Sequence, residues 1–123
     1  MEKMTDDPSE EEAERYDDKV CKRILSQTPT PPGGWVEFMK WLTKTLQYPA
    51  DAKQKQVQGT VNITFIINVD GTVDDVRVKS GKIPVLNAEA LRVLRTMVRW
   101  KPGIEKNRPC RSLVEIPIVF QLS

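Results

Sequence analysis

The chain has 123 residues, 39% of them hydrophobic and 29% charged, with no histidine and a formal net charge of +2. That length accommodates one small domain with an appendage, and the missing histidine excludes a histidine base or a histidine-built zinc site. No apolar run approaches the ~20 residues that cross a bilayer, and Met1-Glu2-Lys3-Met4 opens no signal-peptide core, so the sequence as written reads as soluble and unanchored.

The charge is divided unevenly. Residues 1 to 18 carry nine acids against Lys3 and Arg15, a net of −7, which leaves +9 on the body. A basic body with an acidic tail suits a nucleic acid, a membrane surface or an acidic partner, and its plainest reading is a solvated surface. Cys21 and Cys110 are too few for a disulfide framework and lack metal-ligand spacing. Two separate small residues is the default expectation; a bridge between them would close a long loop worth ~4 kcal/mol.

In chain order, Ser9 and Glu12 form a capping box that opens a helix over about Ser9 to Leu25. Ala13, Tyr16, Val20 and Ile24 line one stripe of it, which needs a partner surface: its own domain or a dimer contact. The prolines and glycines of 27–34 break that helix and make a stiff, extended linker, so the folded domain is expected from Trp35.

Trp35, Phe38, Met39, Leu42 and Leu46 recur at helical spacing as one inward face, and Pro49 stops that helix by Tyr48. From Val57 the period becomes two. Val61, Ile63, Phe65, Ile67 and Val69 form a buried strand face, with Thr60, Asn62, Thr64 and Asn68 opposite. Asp70-Gly71 turns the hairpin. Val73 is out of phase with Val76 and Val78, which predicts a bulge at Asp74-Asp75.

Asn87 is the expected cap of a further helix with Ala90, Leu91, Leu94, Met97 and Val98 inward. Trp100-Lys101-Pro102-Gly103 ends it, and a polar loop runs to Arg111. Ile116, Ile118, Phe120 and Leu122 then alternate in a last strand that contains Pro117. Proline cannot donate to a ladder, so this strand belongs at an edge or carries a bulge.

The stripes are buried together in an α+β fold, with two helices on one face of a three-stranded antiparallel sheet and the other face toward water. The last strand returns beside the first and forms an edge. Such an edge takes up an extended peptide, here along Arg111, Leu113, Glu115, Val119 and Gln121. Nothing in the pattern asks for a catalytic, cofactor or metal site: Asp74-Asp75 is explained by a bulge with solvated acids, and the free sheet face lacks the aromatics of nucleic-acid readers.

Gln47-Tyr48-Pro49-Ala50-Asp51-Ala52, Val57-Gln58-Gly59-Thr60-Val61, Asp70-Gly71, Ala90-Leu91 and Trp100-Lys101-Pro102 together make the stretch from about Trp35 to Leu122 resemble the TonB C-terminal domain family. The residue patterns set off 1–26 (acidic helical segment) and 27–34 (linker), and the resemblance makes 35–123 a TonB-like domain. The resemblance also implies a periplasmic module tethered to the inner membrane of Gram-negative bacteria and acting with ExbB and ExbD. Such a module grips the TonB box of outer-membrane transporters by adding a strand to its last strand. Gln47, Tyr48 and Pro49 match the family's Gln-Tyr-Pro motif, implicated in transporter contact. The alternative is a free-standing regulatory or structural interaction protein of the same fold, with the N-terminal helix as its dimer or partner contact.

Overall fold

The computed structural model describes residue 25 and residues 27–122. The acidic segment and the helix expected over Ser9 to Leu25 lie outside them, save Leu25 itself. The elements are α1 (Gly34–Thr45), α2 (Ala50–Gln54), β1 (Gly59–Ile67), β2 (Val73–Ser80), α3 (Pro84–Leu94), β3 (Gly103–Glu105), β4 (Arg108–Cys110) and β5 (Ser112–Phe120). β2, β1 and β5 form one antiparallel sheet in that spatial order, and β3 pairs with β4 in a separate ribbon. The three-stranded α+β architecture expected from the alternating and helical periods is the one observed.

The core follows from those periods. Val61, Ile63, Phe65 and Ile67 of β1 are buried against Phe38 and Leu42 of α1, Leu86, Ala90, Val93 and Leu94 of α3, and Ile116, Ile118 and Phe120 of β5. Trp100 closes one end of this core. Its ring lies 5.3 Å from those of Phe38 and Phe65 and 5.5 Å from that of Trp35, each edge-on, as aromatic quadrupoles prefer. Its backbone N–H donates to the Gly71 carbonyl at 2.9 Å, and a Cβ on Gly71 would sit 2.1 Å from the Trp100 carbonyl oxygen. Gly71, at φ 88°, therefore serves both the hairpin turn and this close approach.

Several expectations are corrected. Trp35 and Met39 are 44% and 50% exposed, because the inward stripe of α1 centres on Phe38 and Leu42 and turns toward Trp41. Val69 is exposed because β1 ends at Ile67 and the turn breaks its phase. α3 starts at Pro84 rather than after Asn87: a proline at the first helical position needs no donor there, and Asn87 instead donates from Nδ2 to the Gly81 carbonyl at 3.1 Å. α3 also ends at Leu94, so Val98 leaves the helical phase and is 67% exposed.

The expected polar loop before Arg111 contains the β3–β4 hairpin, turned by Lys106 and Asn107 at φ 50° and 66°, and a short α2 follows Pro49. The bulge in β2 is present. Asp75 has φ 54°, the register jumps between Thr64 and Ile66, and a second shift lies between Asn62 and Ile63. β5 ends at Phe120, and Leu122 lies beyond it with its N–H donating to Gln58 Oε1 at 2.6 Å.

The outer sheet face is less wet than expected. Thr64 is 1% exposed and Ile66 is fully buried. Lys79 Nζ of β2 donates to Glu115 Oε1 of β5 at 2.9 Å, bridging over the central strand. The aliphatic stems of such long side chains cover apolar surface while their charged ends stay wet. Residues 27–30 run extended beside β3: Gln27 and Ile104, and Thr30 and Lys101, exchange backbone hydrogen bonds of 2.8–3.3 Å. Cys110 is disulfide-bonded, against the default expectation of separate cysteines. Cys21, the only other cysteine of the sequence, lies outside the described residues.

Candidate functional site

β5 has one partner, β1, among the described residues, so its other side is a sheet edge. The two strands pair over nine consecutive residues, from Gly59↔Phe120 to Ile67↔Ser112, without a register shift. In an antiparallel ladder, alternate residues aim both backbone groups at the neighbouring strand and the others aim them away. Asn62↔Pro117 lies inside that unbroken run, and a proline aimed inward would leave a gap in the ladder. Pro117 therefore belongs to the outward set, together with Leu113, Glu115 and Val119.

The edge thus offers the amides of Leu113, Glu115 and Val119 and the carbonyls of these residues and of Pro117. Glu115, Pro117 and Val119 are exposed and Leu113 half-buried, while Ile116, Ile118 and Phe120 point into the core. This is the local logic of the sequence: apolar even positions anchor the strand, and odd positions stay accessible.

Arg111 and Glu115 have side chains already engaged. Arg111 precedes β5 and donates from Nε to Asn68 Oδ1 at 2.8 Å, with its Nη2 4.0 Å from Asp74 Oδ2, over the β1–β2 turn. Glu115 is held by Lys79. Along this edge, backbone groups rather than those two charges are what a partner would meet. Gln121 is exposed just past the strand.

Of Gln47, Tyr48 and Pro49, it is Tyr48 that meets β5, at the opposite end from Arg111. The Tyr48 ring packs edge-on against Phe120 at 5.6 Å, and its hydroxyl donates to the Val57 carbonyl. Pro49 precedes α2 at φ −58° and supplies the carbonyl that accepts the Lys53 N–H. Gln47 keeps its side chain exposed while its N–H donates to Glu89 Oε2 at 2.7 Å. The structure brings Tyr48 of these three against the C-terminal end of β5, where it braces the strand, while Gln47 faces water.

Glu89 is the residue the sequence reading missed. Both its oxygens accept from Arg92, at 2.8 Å each, and the Arg92 hydrogen bond, aided by the Gln47 amide, holds its carboxyl below the usual carboxylate range. Arg92 in turn reaches the Thr45 carbonyl at 3.4 Å. The exit of α1 and the start of Gln47-Tyr48-Pro49 are thereby fastened to α3. Only the Glu89–Arg92 spacing of three on a helix hinted at this.

The cavity between α1 and the turn after α3, about 220 Å³ and lined by Phe38, Trp41, Met97, Val98 and Trp100 among others, includes no residue of β5. Among the described residues no group of three or more acids or cysteines is placed to hold a metal ion.

The family described as Gram-negative bacterial TonB protein C-terminal matches residues 44–122. Protein TonB from two strains of Helicobacter pylori is 27% identical to this chain, over 119 and 120 residues; each alignment covers 96% of the chain and 37% or 38% of the relative. The chain thus spans less than two-fifths of the length of these curated relatives. Two NMR solution structures of the Helicobacter pylori TonB C-terminal domain superpose with a TM-score of 0.55. They are 26% and 25% identical, covering 75% and 70% of this chain and 87% and 90% of theirs.

Proposed function

The chain belongs to the TonB C-terminal family, and we propose that it is the partner-gripping module of a TonB-like energy transducer, holding an extended segment of an outer-membrane transporter by strand addition to β5. The observation that carries this reading is the edge itself: a nine-residue strand with an unbroken register on one side and outward backbone groups on the other. Seven outward backbone groups at a net ~1 kcal/mol each, less the cost of ordering the peptide, hold the backbone contribution to no more than about −7 kcal/mol, an affinity no tighter than about ten micromolar. That strength suits a grip that releases after each cycle. Gln47, exposed and next in sequence to the Tyr48 that packs on Phe120, is the side chain of the three free to read the peptide, whereas Tyr48 and Pro49 hold the scaffold.

The role is binding rather than catalysis, and the setting is the periplasm, where a disulfide at Cys110 persists. No helix among the described residues is long and apolar enough to cross a membrane. Coupling to ExbB and ExbD therefore requires an anchor other than these helices. The test is titration of the isotope-labelled chain with peptides carrying the box segment of outer-membrane transporters. Backbone amide shifts concentrated in residues 111–122 and around Gln47 are expected. Silence at millimolar peptide, or shifts confined to β2, would overturn the proposal.

A further inference from the structure

We infer that Pro117 makes the β5 edge selective for a foreign strand over a second copy of this chain, an inference that rests on strand addition at β5. The sheet has two edges and they are defended differently. β2 carries two register shifts and the charges of Asp74, Asp75, Arg77 and Lys79, devices that twist and repel an incoming strand. β5 is regular over nine residues, rich in Leu, Val, Ile and Phe, and charged only at Glu115, which is the profile of a strand that pairs with itself.

The proline interrupts that hazard asymmetrically. Homodimers are typically two-fold symmetric, so β5 meeting β5 antiparallel brings two copies of Pro117 to the interface, and each leaves one opposing carbonyl without a donor. A foreign strand meets Pro117 once and loses one bond. A backbone hydrogen bond is worth about fivefold in an association constant, so the proline weakens self-pairing by about 25-fold and peptide capture by about fivefold. The Pro117 carbonyl still accepts, so the partner residue opposite it must carry an N–H. A proline at that position in the peptide removes the remaining bond of the pair.

Pro117→Val and Pro117→Ala both restore the donor, one with high and one with low strand preference, so a response common to both reports the hydrogen bond. Sedimentation equilibrium up to millimolar concentration and titration with a transporter box peptide give the two constants. The expected result is self-association tightened about 25-fold and peptide binding about fivefold in both variants. Variants no more self-associating than the parent, equal gains in both constants, or a parent chain already paired through β5 would each overturn the inference. Tighter self-association through β5 with no peptide bound by any variant would sink the strand-addition proposal instead and leave the guarding role of Pro117 standing.

Discussion

Glu89 fastens two helices with one carboxylate. It accepts the Gln47 amide at 2.7 Å and two guanidinium bonds from Arg92 at 2.8 Å, so replacing it by glutamine removes the charge that makes these bonds strong. Because Arg92 is half exposed, the network is worth about 1 kcal/mol rather than the several a fully buried one would give. Its pH dependence has a definite sign. The folded-state pKa is lowered, so the stabilisation is fully present above the unfolded carboxylate pKa and is lost as pH falls through the folded one. Urea unfolding of Glu89→Gln should therefore show a deficit of about 1 kcal/mol at neutral pH that shrinks toward zero in acid. A deficit that stays constant across that range would mean that the carboxylate charge is irrelevant. None of this is legible in the sequence beyond the Glu89–Arg92 spacing, because the partner amide lies 42 positions away.

At the scale of elements, what was legible is what has a period. β1 and β5 announce themselves by alternation, the hairpin by Asp70-Gly71, and the edge position of β5 by Pro117. What failed was set by short range or by neighbours. β3 and β4 have three residues each, too few for a period, and their turn at Lys106-Asn107 lacks the glycine that usually marks it. The start of α3 was misplaced because Asn87 is a strong cap former, yet Pro84 fixes the helical angle three residues earlier. Thr64 reads as wet because alternation cannot reveal that Lys79 and Glu115 meet across the central strand that carries it.

The two-sided phase of β5 makes an element-level prediction. In hydrogen exchange, the amides of Val114, Ile116 and Ile118, bonded to β1, should be protected by factors that approach global stability. Those of Leu113, Glu115 and Val119 should exchange as exposed amides and become protected when a peptide docks. The reverse assignment would put Pro117 on the β1 side and remove the basis for strand addition.

For the molecule as a whole, the bond at Cys110 sets how much of the fold stands on packing alone. The sequence offers Cys21 as the one partner, so the covalent loop spans about 90 residues and takes in α1 to β4, a constraint on the unfolded chain worth about 4–5 kcal/mol. Two cysteines 89 positions apart left such a bridge open in the sequence without requiring it, since spacing alone does not bring two thiols together. A tie that acts mainly on the unfolded state lowers global stability when it is cut but leaves folded contacts in place. Cys110→Ser, or the parent in reductant, should thus lose about 4 kcal/mol in urea unfolding, with amide protection reduced throughout the β2–β1–β5 sheet rather than only at residues 101–111. Peptide-induced shifts along β5 should survive, because the β1–β5 ladder contains neither cysteine. Loss confined to the ribbon would make the bond a local clamp, and loss of the β5 shifts would mean that the edge is shaped by the tether and not by its own pairing with β1.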